Sequence, residues 1–133
     1  AIGGASLLRA GLTQRYLDDA RAELGLHPAA AIDDASRALR LDSANIDAYY
    51  VKAAGQARFD RAAAARSTLL DAVQQDPTNF VSWWLLGDLE IRAGDVPAAR
   101  SYYHRAFRLD PDDPSLAALA ANPRAALAGA PRR

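Results

Sequence analysis

The 133-residue chain contains no cysteine, no methionine and only two histidines, His27 and His104. Without thiols there is no disulfide framework, thiolate metal site or cysteine nucleophile, and two histidines do not make a histidine-rich site, so no metal and no cofactor are expected. Net charge is equally scarce: 16 Lys plus Arg stand against 16 Asp plus Glu, with a pI near 7.0. The long-range attraction that a phosphate backbone exploits is missing, so no nucleic-acid partner is expected. No apolar run approaches the roughly 20 residues of a membrane-spanning helix, because Arg, Asp and Glu interrupt each one. Insertion into a bilayer by this chain itself is therefore not expected. The missing methionine implies a chain that begins further upstream. Residues 1 to 11 read as a linker remnant: Ala1 to Leu8 is small and apolar, with no charged start or cleavage pattern of a signal peptide. Aromatics make up only 8% of the chain, yet half of it is apolar, enough for one continuous core.

What is present is periodic. Asp76-Pro77 and Asp110-Pro111 lie 34 residues apart, and the same step links Asn45, Asn79 and Asp113. It also links Ala31, Ala65 and Ala99, then Ala38, Ala72 and Ala106, then Leu39, Val73 and Phe107. A shared step in so many series marks an internal repeat. Within it the apolar residues recur at helical spacing. Phe80, Trp83, Trp84, Leu86, Gly87 and Ile91 suit one helix, and Ala99, Tyr102, Tyr103, Ala106 and Phe107 suit the next. Gly94-Asp95 punctuates the join between them. The Asn45, Asn79 and Asp113 series stands where a following helix begins, able to accept its orphan N–H groups. Arg105 and Arg108 fall in a last turn, where cations complement the helix dipole. Each unit is thus a helical hairpin. The alanines mark where two backbones approach closely, and Trp83, Tyr103 and Phe107 are expected to fill the space between hairpins.

Residues 80 to 113 resemble a tetratricopeptide repeat, with Trp83, Leu86-Gly87, Gly94, Ala99, Tyr103, Ala106 and Pro111 at the family's spacing. Residues 46 to 79 match through Tyr49, Ala53, Ala65, Leu69, Ala72 and Pro77, with Lys52 where leucine is expected. Residues 12 to 45 match mainly in their second helix, through Ala31, Ala35, Ala38 and Leu39, with Ser43 in place of proline. The resemblance implies an all-α fold: a right-handed superhelical stack of about three hairpins, over 12–45, 46–79 and 80–113. Residues 114–133 then supply a short covering helix over Ser115 to Ala121 and a frayed tail.

The resemblance also implies that first helices line a concave surface that binds a protein or peptide. On those helices Tyr16, Tyr50 and Trp84 form a ladder at the 34-residue step, one place after Arg15, Tyr49 and Trp83. Three aromatics in register offer the rigid contact area of binding hot spots, or else pack against the neighbouring first helix. Arg58 and Arg92 form a shorter ladder, suited to a carboxylate or phosphate, or to a salt bridge with Asp60, Asp88 or Asp95. Asp88 adds polarity to the groove. Family members that bind chaperone tails use a clamp of Lys, Asn and Arg, and aromatics stand here at one of those places. That departure sets this groove apart from such a clamp.

Catalytic signals are thin. Asp18-Asp19, Asp33-Asp34 and Asp112-Asp113 are adjacent acids, and helix neighbours point about 100° apart, too far to act on one bond. His104 has Arg100 and Arg108, not an acid, at its helical neighbour positions, and His27-Pro28 occupies a turn before a helix start. Phosphate-loop, HExxH and GxSxG motifs are absent. The expected function is a non-catalytic interaction module, with self-association through an end hairpin as a further possibility. A narrower alternative rests on Asn79 to Asp95 and the apolar lead-in, which are similar to repeat domains that follow the membrane part of bacterial O-antigen polymerase or ligase proteins. On that resemblance the chain is an accessory domain of a cell-envelope polysaccharide enzyme; otherwise a cytoplasmic place fits equally.

Overall fold

The computed structural model describes residues 2–128. The expected fraying of the tail beyond Ala130 concerns residues outside that range. The described residues are helical with no strand, in the order α1 (Ile2–Glu23), α2 (Pro28–Leu41), α3 (Ile46–Arg58), α4 (Ala62–Gln75), α5 (Phe80–Arg92), α6 (Val96–Leu109), α7 (Pro114–Ala121) and α8 (Ala125–Ala128). They form two compact units, one ending at Gln75 and the other beginning at Asp76. No helix among the described residues is long and apolar enough to cross a membrane.

In the first unit α1 pairs with α2, α2 with α3, and α3 with α4. Its core joins Leu17 and Ala20 of α1, Ala35 and Ala38 of α2, and Ala48 and Val51 of α3. Small side chains on α2 let three helices approach closely, and the larger Leu17 fills what they leave. Residues 2 to 11, expected as a linker, instead continue α1, which runs for 22 residues against 14 in α2. No proline interrupts this stretch, and its Ala and Leu residues propagate a helix already nucleated by packing further along. Leu7 and Leu8 are accordingly left exposed.

In the second unit α5 and α6 form a hairpin and α7 packs on α6. Ile91, Ala99, Tyr103 and Ala120 are its core, with Val96, Phe107, Leu119 and Ala126 against them. Gly87 is required here: a Cβ added to it would stand 2.5 Å from the Tyr103 ring. The all-α class of helical hairpins expected from the sequence is what the chain adopts.

The caps follow the repeat. Asn45, Asn79 and Asp113 each accept a backbone N–H of the helix they precede, from Ala48, Val81 and Ser115 at 3.2, 3.0 and 2.8 Å. Each cap is worth about 1 kcal/mol. Before each lies an aspartate, Asp42, Asp76 or Asp110, whose carbonyl accepts the N–H of the capping residue. The two hairpin turns at Asp60 and Gly94 are also equivalent. In each, the second residue after the helix has positive φ, 57° at Asp60 and 87° at Gly94. The next N–H reaches back to Gln56 or Glu90, closing a Schellman turn. The turn after α1 differs, with both Leu26 and His27 donating to the Glu23 carbonyl.

Candidate functional site

The candidate groove residues are distributed over both units and each has its own surroundings. On α1, Tyr16 is half-buried against the first unit's core, and the Arg37 guanidinium lies over its ring at 5.9 Å. Arg37 is itself held by Asp34 at 2.8 Å. Tyr16 is thus largely occupied within its own hairpin. Tyr50 on α3 is half-buried, while its neighbour Tyr49 is buried and donates its hydroxyl to the Ser43 carbonyl at 2.8 Å. Arg58 ends α3 on the exposed surface, where its charge complements the helix C-terminus.

On α5 three candidates share one face. Trp84, Asp88 and Arg92 stand four residues apart, which places them on successive turns of one side of the helix. Trp84 is 37% exposed, a large cost for a ring of this size unless something covers it. Asp88 accepts the hydroxyl of Tyr103 at 2.6 Å, and Tyr103 is fully buried. The pair explains its own titration. Burial pushes the Asp88 carboxyl above the ordinary aspartate range, opposed by the hydrogen bond from Tyr103 and by the charge of Arg92. Burial pushes the Tyr103 phenol up strongly, reinforced by the bond to Asp88 and by its charge. Asp88 therefore serves the interior of its hairpin with one oxygen, while Arg92 remains exposed beside it.

Several of the other acids and the two histidines have plain local settings. Asp18 accepts from Gln14 and faces Arg21, and Asp113 caps α7. His27 Nδ1 meets Glu23 at 2.6 Å on the surface, and His104 is exposed. Among the described residues no three acidic or histidine side chains gather as metal ligands would.

Trp83 is the main departure. Expected between hairpins, it is instead half-exposed at the edge of α5 and α6. Its Nε1–H donates to the Pro77 carbonyl at 3.2 Å, and its ring stacks on Tyr102 at 6.0 Å. The Arg105 guanidinium lies over the same ring at 4.7 Å. These neighbours hold the indole at the rim, where it lines a shallow depression of about 300 Å³ with Pro77, Arg105, Arg108 and Leu109. Helix-end charge alone gives Arg105 and Arg108 no such neighbour; the signal for it was Trp83 preceding them by 22 and 25 residues, across one hairpin turn.

No curated protein matches the chain. In fold it is similar to the first tetratricopeptide domain of human RPAP3, at 18% identity over 88% of this chain and 93% of that one, with a TM-score of 0.74. A TM-score of 0.75 at 17% identity relates it to the Arabidopsis OM64 tetratricopeptide domain, covering 88% and 98%. The first such domain of Spaghetti (RPAP3), bound to the HSP90 peptide SRMEEVD, gives 0.74 at 18% identity, covering 90% and 95%. The family model described as tetratricopeptide repeat matches residues 56–122, half of the sequence. With the 34-residue caps, turns and alanine contacts found in the fold, this match shows that the chain belongs to the tetratricopeptide repeat family, whose domains are non-catalytic scaffolds for protein interaction.

Proposed function

We propose that the chain is an interaction module that holds a peptide or partner helix against the first-helix face, with Trp84 as its main anchor. The exposed Trp84, in line with Asp88 and Arg92 on α5, is the observation that carries this reading. Tyr50 and Arg58 hold the same two places on α3 of the first unit and offer a like pairing of ring and guanidinium there, whereas the Tyr16 ring is already covered. An exposed indole next to an exposed guanidinium suits a ligand that presents an apolar side chain and an acid or carbonyl beside it. The peptide-bound Spaghetti domain supports a peptide as the class of partner. We read residues 12–45, 46–79 and 80–113 as the three repeats, and 114–133 as the covering segment. No feature of the fold or of the structural neighbours favours the narrower placement beside an O-antigen polymerase or ligase.

A displayed library of random peptides selected on the full chain tests this. Trp84→Ala should abolish capture of the selected peptides while helicity and melting stay nearly unchanged. Loss of the fold in this variant, or full capture by it, would remove the proposal.

A further inference from the structure

We infer that the depression framed by Trp83, Arg105, Arg108 and Leu109 is a second docking site, and that its occupant is a peptide segment in which a carboxylate flanks an apolar side chain. It lies entirely within the second unit and does not depend on the Trp84 face.

The chemistry of the walls selects this occupant. Arg105 lies over the Trp83 ring at 4.7 Å, and a guanidinium held there still has N–H donors with which to take a carboxylate in bidentate fashion. Because stacking already orders the guanidinium, less rotamer entropy is lost on binding than for a mobile arginine. Arg108 follows three residues later on the same side of α6 and brings a second cation. No carboxylate among the described residues forms an ion pair with either arginine. Beside the two cations stands apolar surface: Leu109 is 41% exposed, and Pro77 and the Trp83 indole complete the floor. A bare anion would leave that floor wet, and a purely apolar segment would leave two cations unanswered. With a guanidinium over the ring, stacking of a nucleobase is not what the corner offers. The balanced charge of the chain likewise gives a polyanion no long-range attraction.

The first unit supplies an internal control. At the same step of 34 residues, Trp83, Pro77, Arg105, Arg108 and Leu109 correspond to Tyr49, Ser43, Asp71, Gln74 and Gln75. There the ring is buried and donates to the Ser43 carbonyl, and the nearby charges acting on it are those of Asp71 and Asp42. The backbone contact of the ring is the same in both units, so the open, cationic corner comes from side-chain choice and is not forced by the fold.

The test is a titration of the isotopically labelled full chain, followed through the indole N–H resonances. The probe is the blocked peptide acetyl-Gly-Asp-Leu-Asp-Gly-amide. Its charge-reversed counterpart with Lys for Asp, the Asp-Ala-Asp variant and inorganic phosphate are the comparisons. The Trp83 resonance should move and saturate with a Kd on the order of 1 mM, while the Trp84 resonance stays in place. Arg108→Gln, which leaves the Trp83 stack intact, should weaken the probe about five-fold, as should the leucine-to-alanine change in the peptide. Raising the salt tenfold should weaken it further. Absence of a saturable Trp83 shift would overturn the inference, as would equal binding of the Lys peptide. Equal binding of phosphate would also overturn it, since the corner would then be an anion site only.

Discussion

Tyr49 and Trp83 occupy the same place in successive repeats and end in different environments. Both rings donate a hydrogen bond to the carbonyl six residues back, Tyr49 to Ser43 and Trp83 to Pro77. Tyr49 is buried under acidic influence, whereas Trp83 stays at the rim beneath an arginine. The repeat thus conserves a backbone contact and a cap within this one chain, while the chemistry of each corner is set by the residues that end the second helix. A similar contrast separates Ala53 from Gly87. Ala53 is buried with its Cβ accommodated, but at Gly87 the Tyr103 ring fills the space a Cβ would need.

The largest break in the equivalence is therefore expected at Gly87. Gly87→Ala should cost about 2–3 kcal/mol by driving the Tyr103 ring off its position, while Ala53→Gly should cost only about 1 kcal/mol in helix propensity. Urea denaturation of both variants measures the difference. Next comes the buried pair. Tyr103→Phe should lose about 1–2 kcal/mol with the hydrogen bond to Asp88, and Tyr49→Phe about 1 kcal/mol with the bond to Ser43. Both phenols are raised above the ordinary tyrosine value, Tyr103 strongly. Their contribution to stability is then complete below the unfolded value and is lost as the pH rises past about 10. Removing Tyr103 should flatten that alkaline decline more than removing Tyr49. Because the Tyr103 hydroxyl lowers the already raised Asp88 carboxyl, Tyr103→Phe should move the Asp88 carboxyl titration, read by NMR, further upward.

Smaller effects belong to the turns. Asn79→Ala should cost about 1 kcal/mol through its lost cap. Asp60 carries at φ 57° the same turn that Gly94 makes at 87°. Asp60→Gly should therefore gain about 0.5–1 kcal/mol, and Gly94→Ala should lose about 1 kcal/mol. If the two turns were not equivalent, neither sign would hold, and thermal melting of the pair decides it.

The caps, the hairpin turn at Gly94 and the small-residue contacts were legible in the sequence, because each is a local demand of the backbone at a fixed step, whereas the same turn at Asp60 carries no glycine to mark it. Asn45, Asn79 and Asp113 do what their position required. The aspartates at 42, 76 and 110 obeyed the same step and completed each turn, although only two were marked by a following proline. Residues 2 to 11 were not legible as helix, since Gly3-Gly4 and Gly11 weaken propensity and the nucleus lies beyond them. The exposure of Trp83 was not legible either. Helical spacing places a ring on a face, but whether a neighbour reaches over it depends on side chains 22 residues and more away, here Arg105 and Arg108. The 34-residue step sets Tyr16, Tyr50 and Trp84 in one ladder, yet its members differ: Arg37 lies over Tyr16, and no cation among the described residues lies over Trp84 in that way.

The indole resonance of Trp84 tests the central claim most directly, followed while the full chain is titrated with a peptide selected on it. The account predicts that this resonance shifts and saturates together with binding. Saturable binding with the Trp84 resonance unmoved would contradict it.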